Sequence, residues 1–186
     1  PRRTVIENAA EAVYVEKKAE EMEVVFLMDR FGYARTIDLT AYERNKEAAD
    51  TENRYVFPCK NTGRICLFTN TGQLHTLKVS DIPFGKFRDK GIPVDNISNF
   101  SGEKEVIIAA ASQTSLNLYR MIFVTKQAMM KIVDGGEFDV TKRTVAATKL
   151  SEEDEVVSVE ILNDQKQVVL QSAEGYFLKF NVEEIP

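Results

Sequence analysis

A strand–turn–strand pattern occurs four times along this chain, and it limits the possible folds more than any other feature of the sequence. Its clearest copy spans residues 65–83, where an apolar run meets the turn residues Thr69-Asn70-Thr71-Gly72 and a second, partly alternating run follows. We expect Gly72 to adopt a positive φ, which glycine reaches without the steric penalty of a Cβ atom. The pattern therefore predicts a complete β-hairpin.

Three looser copies of this hairpin span residues 24–42, 121–138 and 168–186. Aligning the turns superposes four positions, at successive spacings of 40, 56 and 47 residues: Gly32, Gly72, Ala128 and Gly175. The copy with Ala128 lacks the glycine, so we expect its turn to differ or to be strained. Because a lone hairpin cannot bury its apolar face, repeats of this size are typical of propeller-like or stacked β architectures.

Segments of other character separate the repeats. Residues 1–23 are rich in Ala, Glu and Lys, and we interpret them as a linker and entry segment to a β domain over residues 24–186. Residues 40–54 have the helical propensity for two or three turns, and they are the one helix that we predict. Residues 55–60 resume strand character, and Pro58 favours a sheet edge or bulge because proline cannot donate a ladder hydrogen bond.

Tight turns join the additional strands to the hairpins. The turn at residues 61–63 leads from the strand at 55–60 into the central hairpin, and the same order recurs over residues 156–180. We therefore expect three-stranded meanders as the core of about four antiparallel blades. Residues 106–111 are uninterruptedly apolar, which predicts a strand buried on both faces.

Cysteine and histidine are too scarce for a structural metal site. The 186 residues include only Cys59, Cys66 and His75 of these types, so they cannot supply four cysteine or histidine ligands. A two-residue turn within 61–63 would place the cysteines opposite each other, and we interpret them as reduced core residues of a cytoplasmic protein. We expect His75 to be packed or half-exposed on its strand rather than reactive.

Membrane and catalytic signatures are missing from the sequence. No apolar run approaches the ~18 residues that span a bilayer, and the N-terminus lacks a signal-peptide pattern, so we expect a soluble protein without a membrane partner. The sequence contains no Gly-x-Ser-x-Gly elbow, phosphate-binding loop or His-Glu-x-x-His motif, and we predict no catalytic residue, metal or cofactor. Because the chain starts at Pro1 and stops with its last hairpin, we expect a piece of a longer polypeptide.

Charge is distributed unevenly along the chain, whose net charge is -5. Residues 1–23 hold four basic and six acidic side chains, and residues 151–186 hold two basic and nine acidic ones. Removing both ends from the totals of 24 and 29 leaves 18 basic and 14 acidic residues in 24–150. The central block, with a net charge of +4, can therefore attract phosphate groups although the whole chain is acidic.

Three cations at alternate positions form the best candidate for phosphate contact. If residues 86–90 are extended, Lys86, Arg88 and Lys90 point the same way at spacings of ~6.5 to 7 Å, close to those of successive phosphates on a DNA strand. A solubilising surface loop is the alternative interpretation of this segment. Further candidates for contact with nucleic acid are Arg35, Arg44, Lys46, Lys78, Lys131, Lys142 and Arg143.

Three of the repeated segments carry a family resemblance: DRFGYARTIDL, LFTNTGQLHTLKVSDIP and SAEGYFLKFNVEEIP. They closely resemble the C-terminal domain of the A subunit of bacterial type IIA topoisomerases, DNA gyrase and topoisomerase IV, and the likeness covers essentially the whole chain. It implies an all-β β-pinwheel, a propeller-like disc whose basic outer rim binds and bends double-stranded DNA. It also implies that strand passage belongs to other domains, so that the expected partners are the rest of the A subunit, together with the ATPase B subunit.

One departure from the family concerns the loop after the first hairpin. Gyrases carry there a box of a glutamine, two arginines, two glycines, a lysine and a glycine, which is associated with chiral wrapping. Residues 43–50 do not match this box, and residues 85–91 keep only its terminal Lys-Gly. The resemblance thus favours a topoisomerase IV-like role or an atypical gyrase, with a non-catalytic domain that binds DNA without sequence specificity. A propeller-like scaffold for protein partners is the alternative.

Overall fold

A computed structural model describes residues 20–186 as a chain made mainly of short strands. Residues 1–19 of the predicted linker lie outside the described residues. The strands are β1 (Glu23–Asp29), β2 (Tyr33–Asp38), β3 (Asn53–Lys60), β4 (Arg64–Thr69), β5 (Gln73–Lys78), β6 (Ile92–Pro93), β7 (Ile107–Ser112), β8 (Arg120–Thr125), β9 (Met130–Asp134), β10 (Thr144–Ala146), β11 (Val156–Leu162), β12 (Gln167–Gln171) and β13 (Phe177–Asn181). The helices are α1 (Leu39–Arg44), α2 (Lys46–Glu52) and α3 (Gln113–Leu116), with 3-10 turns at Val79–Asp81, Val94–Asn96, Gly135–Phe138 and Val182–Glu184.

The four repeated segments form the four predicted hairpins. β1 pairs with β2, β4 with β5, β8 with β9 and β12 with β13, all antiparallel. Gly32, Gly72 and Gly175 have φ angles of 83°, 76° and 86°, as expected for the turn. Ala128 adopts a φ of 61° at the same position, so the copy without glycine keeps the turn and carries the strain that the sequence predicts.

Each hairpin is the centre of one antiparallel sheet, which we call a blade. In strand order, blade 1 is β3-β1-β2-β6, blade 2 is β10-β5-β4-β7, blade 3 is β11-β8-β9 and blade 4 is β12-β13. In each of the first three blades a later strand pairs with the first strand of the hairpin: β3 with β1, β7 with β4 and β11 with β8.

The predicted meanders are wrong. β3 and β4 are joined by the turn at residues 61–63 yet lie in different sheets, as do β11 and β12. The outer edge of β1 presents free backbone groups to β3, and the apolar faces of the two strands match there. Phe26 lies directly opposite Phe57 in the ladder, with the rings stacked at 5.0 Å between centroids. The pairing of β3 with β1, which are distant in the sequence, therefore determines the sheet to which β3 belongs, and the turn at residues 61–63 does not.

The cysteines do not face each other, because of this pairing. Cys59 lies opposite Val24 on β1, whereas Cys66 lies opposite Thr76 and Ala111 in blade 2. Both thiols are free. Burial raises the pKa of Cys59 to about 11 and that of Cys66 to about 12, so both stay protonated at neutral pH.

Two of the edge strands test predictions from the sequence. β3, which contains Pro58, is the outer strand of blade 1, as the proline predicts. β7 is the outer strand of blade 2, and its four central residues are only half-buried. The prediction of a strand buried on both faces over residues 106–111 is therefore wrong, since an unbroken run of small apolar residues also suits an edge that neighbouring elements partly cover.

The segment after each of the last three hairpins reaches back to the preceding blade. The amide of Thr36 on β2 donates to the carbonyl of Pro83, 2.9 Å away, and the amide of Thr76 on β5 donates to that of Arg143 at the same distance. In blade 3, the amide of Ile132 donates to the carbonyl of Pro186 at 2.8 Å. These bonds tie neighbouring blades into one row.

Two hydrophobic cores fill the spaces between successive blades. Residues of β1 and β2 pack against β4 and β5 in the first core, and residues of β4 and β5 pack against β8, β9 and β11 in the second. Phe68, Phe123 and Phe138 meet in the second core, with ring centroids 5.1 to 5.8 Å apart. Alternate residues of the central hairpin thus serve both cores, which explains its uninterrupted apolar runs.

The helical insert covers the other face of blade 1. Val25, Leu27 and Ile37 pack there against the insert, whose Ala49 is fully buried. Asp38 caps α1 by accepting a hydrogen bond from the amide of Ala41 at 2.7 Å. The prediction of a helix over residues 40–54 is confirmed in type, but the chain breaks at Asn45 into two short helices. The short helix α3 lies outside the predicted elements.

Blade 4 is the least covered part of the described chain. Within residues 20–186, β12 and β13 pair with each other alone. Tyr176, Phe177 and Leu178 remain 72%, 69% and 60% exposed. Among the helices in this range, none is long and apolar enough to cross a membrane.

Candidate nucleic-acid interface

A polar cavity beside the central hairpin brings three basic side chains together. Its volume is about 290 Å³, and Arg64, Lys78 and Arg143 contribute to its wall. The remaining lining residues are Thr76, Leu77, Asp81, Ile97 and Thr141. Within the described chain, Asp81 is the one acidic residue of this wall, so positive charge dominates it.

Strand register and hydrogen bonds fix this arrangement. Arg64 at the start of β4 lies directly opposite Lys78 at the end of β5. The segment that carries Arg143 runs along the outer edge of β5, where the hydroxyl of Thr76 donates to the carbonyl of Lys142 at 2.9 Å. Arg64 Nη1 donates to the carbonyl of Val140 at 2.9 Å, which ties the same segment to β4.

Arg64 is absent from the residues that the sequence predicts. A single arginine at a strand start has no pattern of its own, so its position in the sequence carries no signal. The usable signal is the hairpin register, because residues equidistant from the turn face each other and Lys78 is itself a predicted residue. Lys142 and Arg143 are both exposed at this edge. The structure thus brings the predicted residues Lys78, Lys142 and Arg143 to one side of blade 2, together with Arg64.

The extended arrangement predicted for Lys86, Arg88 and Lys90 is wrong. The amide of Asp89 donates to the carbonyl of Lys86 at 3.0 Å, and the carboxylate of Asp89 accepts from the amide of Lys86 at 2.7 Å. These two bonds close a turn, so the three cations do not form a straight row. All three side chains are nevertheless exposed.

Aromatic contacts fasten this turn to blade 1. Lys90 Nζ lies 5.0 Å from the ring centroid of Tyr33, and the guanidinium of Arg35 lies 5.7 Å from that of Phe87. Arg35 is half-buried. The structure therefore places Arg35 of β2 beside the predicted cations of residues 86–90, which lie on the connection that follows the central hairpin.

The remaining predicted cations are not brought to either group. Arg44 and Lys46 are exposed on the helical insert. Lys131 is half-buried, donates to the carbonyl of Ala147 at 3.0 Å and lies 5.4 Å from the ring centroid of Phe123. Burial lowers the pKa of Lys131. These contacts give Lys131 a role in packing blade 3.

His75 belongs to a buried polar network. Its Nε2 lies 2.7 Å from Glu105 Oε1, and its Nδ1 lies 3.0 Å from Thr144 Oγ1. Burial alone would raise the pKa of Glu105, but hydrogen bonds from Thr69 and Thr71 and the neighbouring His75 hold it below its ordinary value. Of the two expected environments of His75, packed or half-exposed, the packed one is confirmed, since His75 is 3% exposed. In the described part of the chain, no group of three or more acidic, cysteine or histidine side chains could hold a metal ion.

Comparisons with known proteins agree with the architecture. The family described as "DNA gyrase C-terminal domain, beta-propeller" matches residues 63–113, 120–163 and 166–186, together more than half of the chain. The DNA gyrase A subunit of Lawsonia intracellularis (strain PHE/MN1-00) is 28% identical over 198 residues, and that of Helicobacter pylori (strain ATCC 700392 / 26695) is 28% identical over 197 residues. Each match covers 100% of this chain and 24% of the relative, so the chain spans about a quarter of their length.

Among solved structures, the C-terminal domain of DNA topoisomerase IV is similar, with a TM-score of 0.76 and 22% sequence identity. The match covers 88% of this chain and 53% of that chain. At this identity the likeness concerns the fold. Together with the antiparallel blades, it confirms the predicted all-β, propeller-like pinwheel.

Proposed function

The chain belongs to the family of DNA gyrase C-terminal domains, and on that premise we propose that it is the non-catalytic DNA-binding domain of a type IIA topoisomerase A subunit. It binds double-stranded DNA without sequence specificity through basic side chains on its outer rim and bends the duplex for strand passage. The other domains of the A subunit, with the DNA-cleaving tyrosine, and the ATPase B subunit carry out the reaction in the cytoplasm.

The observation that carries this proposal is the convergence of Arg64, Lys78 and Arg143 on one polar cavity. The cavity lies within residues 24–150, which hold 18 basic and 14 acidic residues, whereas three cations and one acid line its wall. Arginine and lysine neutralise phosphates and release counterions, which supplies affinity for any sequence. Bending a site of 20 to 30 base pairs costs on the order of 1 to 6 kcal/mol, so further contacts are needed. The exposed cations of residues 86–90 supply them.

The helical insert bears on the kind of topoisomerase. Residues 43–50, where gyrases carry their box, lie in α1 and α2 in this chain, and Ala49 is buried against blade 1. A segment used for packing in this way is not a free loop for wrapping DNA. This supports a topoisomerase IV-like role or an atypical gyrase.

Salt-dependent binding tests the proposal. Fluorescence anisotropy of a labelled 30-base-pair duplex is measured with the chain over a range of salt concentrations. We expect log K to fall linearly with log salt, by about 0.9 for each phosphate neutralised, and to be the same for unrelated sequences. Binding that is absent, or that does not depend on salt, would contradict DNA binding through a basic rim.

Charge reversal then locates the interface. The triple variant K86E/R88E/K90E should bind more weakly and with a shallower salt slope on every sequence. The matched control K104E/K166E/K179E changes the net charge equally at exposed positions outside the two cation groups. Equal slopes for the two variants would remove residues 86–90 from the interface.

A scaffold for protein partners is the second candidate, favoured by the exposed apolar side chains of blade 4. Under that function the chain would show no salt-steep DNA binding, and the same anisotropy experiment separates the two. Replacing Phe177 and Leu178 by serine would then abolish partner binding, whereas it would leave the salt slope for DNA unchanged under our proposal.

A further inference from the structure

One position of the repeat has the same structural task in three of the four hairpins. It is the last residue of the second strand, six residues after the turn position, and it caps the helical turn that follows. Asp38 accepts from the amide of Ala41 at 2.7 Å, and Asp134 accepts from that of Gly136 at 2.9 Å. In the fourth hairpin the amide of Asn181 donates to Glu184 Oε1 at 2.9 Å, in a capping-box arrangement.

In the second hairpin this position is Lys78. A lysine ammonium has only donors, so it cannot accept a hydrogen bond from a backbone amide. Among the described contacts, Lys78 accordingly makes no side-chain capping bond to the turn at Val79–Asp81. The central hairpin thus lacks the side-chain capping bond of the first and third hairpins and the Asn181–Glu184 bond of the fourth.

The pair that Lys78 forms with Arg64, the residue opposite it, also differs from the equivalent pairs of the other hairpins. Lys78 faces Arg64 across the hairpin, and like charges directly opposite each other destabilise a sheet. The equivalent pair in the third hairpin is Arg120 and Asp134, which carry opposite charges. Among the four hairpins of residues 20–186, the second alone pairs two cations at this level.

Two costs to stability at one place indicate selection for a function, because natural sequences break local rules mainly at functional sites. We propose that Arg64, Lys78 and Arg143 form a seat for one phosphodiester group of the DNA backbone. This inference rests on the proposed function and assigns one built contact within it. Arg64 and Arg143 present planar forks of donors, Lys78 supplies a mobile point charge, and the cavity between them is polar.

The seat is held in position by the protein before DNA arrives. The bond from Arg64 Nη1 to the carbonyl of Val140 uses one donor and leaves the other guanidinium donors for a ligand. The ladder bond between the amide of Thr76 and the carbonyl of Arg143 fixes the backbone of the second arginine at the edge of β5. A phosphate can therefore bind without reordering either strand, which lowers the entropic cost of the contact.

The test exploits the opposite effects that the seat predicts for stability and binding. The variant K78N restores at this position the capping residue that the fourth hairpin uses. Its thermal midpoint should rise above that of the wild type, while its affinity for a 30-base-pair duplex falls and its salt slope decreases by up to about 0.9, the value for one phosphate contact, because Arg64 and Arg143 remain. The control R120Q removes one positive charge at the equivalent level of the third hairpin and should leave the salt slope unchanged.

Each outcome decides the proposal. A salt slope of K78N equal to those of the wild type and R120Q would overturn the seat and leave DNA binding intact. A thermal midpoint of K78N below that of the wild type would contradict the inference that Lys78 lowers stability in return for DNA binding. If the wild-type chain shows no salt-steep DNA binding, the proposed function fails, and the seat for DNA fails with it.

A second probe distinguishes a DNA seat from a site for free phosphate. Inorganic phosphate is titrated against the chain, and the NMR signals of the Arg64 and Arg143 side-chain N–H groups are followed. Saturable shifts with phosphate but no effect of K78N on DNA binding would assign the cavity to a free anion and overturn the DNA seat. Shifts of the same signals with the duplex, lost in K78N, support it.

Discussion

The glycine of the central turn meets two demands at once. Gly72 has a positive φ of 76°, and a Cβ atom added there would lie 2.7 Å from the carbonyl oxygen of Thr148. The carbonyl of Gly72 also accepts hydrogen bonds from the amides of Ala147 and Thr148, at 2.9 and 3.1 Å. Gly175 has a similar φ of 86°, but no described atom lies within 4 Å of its added Cβ.

These two glycines form a matched pair for mutation. G175A introduces backbone strain alone, which costs about 1 to 2 kcal/mol in the left-handed region. G72A adds a clash with backbone, so we expect a loss of unfolding free energy at least about 1 kcal/mol larger than that of G175A. Urea denaturation followed by circular dichroism measures both. Equal losses would mean that the connection at Thr148 moves away without cost.

The buried pair of His75 and Glu105 predicts a pH dependence of stability. The pKa of Glu105 is lowered in the folded state, so its ionised form stabilises the fold. That contribution is fully present above the unfolded pKa of about 4.3 and is lost as the pH falls through the folded pKa. E105Q should therefore reduce the unfolding free energy at pH 7 by about 1 to 3 kcal/mol, because the charged hydrogen bonds are removed.

The difference between wild type and E105Q should shrink as the pH drops below about 4.3, and urea midpoints measured from pH 7 to pH 3 follow it. E103Q is the control, because Glu103 is an exposed carboxylate two residues away. A wild-type excess in stability that stayed constant down to pH 3 would mean that ionisation of Glu105 does not stabilise the fold.

At the scale of elements, the helical insert acts as a cap on the first blade. Its buried side covers Val25, Leu27 and Ile37, while its outer residues are mostly polar and exposed. The insert therefore supplies to blade 1 the cover that neighbouring blades supply elsewhere.

Ala49 is the residue on which this cap depends. A49E would place a carboxylate in a fully buried apolar site, and we expect a loss of about 3 kcal/mol or more of unfolding free energy. The control A48E changes the neighbouring, half-buried alanine of the same helix and should cost less than about 1 kcal/mol. Thermal or urea denaturation compares them. Similar losses for both variants would indicate that the insert does not pack tightly on blade 1.

The elements that can be predicted from the sequence are those set by local signals. Turn glycines and apolar runs define the four hairpins, and Pro58 marks an edge strand, because each signal lies within a few residues. The partner of β3 depends on the match of Phe57 with Phe26, which is distant in the sequence, and the turn at 61–63 suggests a different neighbour. β6 and β10, with two and three residues, are too short to carry a pattern.

In the candidate site, too, single residues can be predicted from local signals, whereas their arrangement in space cannot. Lys78 and Arg143 can be predicted one by one, but their convergence with Arg64 depends on a segment that returns from the next hairpin to the edge of β5. The turn at residues 86–89 escapes the sequence prediction although its cause is local, because the Asp89 side chain accepts a bond from the Lys86 amide.

At the scale of the whole molecule, the blades differ in how many neighbours support them. Blade 2 contributes to both hydrophobic cores and has four strands, whereas blade 4 consists of two strands with exposed aromatic and aliphatic side chains. A two-stranded hairpin is marginally stable in water, so its stability depends on contacts with its surroundings. Opening of blade 4 should therefore cost less free energy than opening of blades 1 to 3.

Native-state hydrogen exchange measures this gradient. In the 186-residue chain, amides of β4 should exchange through global unfolding, whereas those of β12 and β13 should exchange faster by roughly tenfold or more. The hairpin of β8 and β9 is a matched control, since it has the same local form but β11 completes its outer edge. Low urea should accelerate exchange in β4 and leave that in β12 and β13 almost unchanged, because local opening exposes little new surface. Equal protection and equal urea dependence in the two hairpins would show that blade 4 unfolds cooperatively with the other blades. The exposed Phe177 and Leu178 would then not mark a region of low stability.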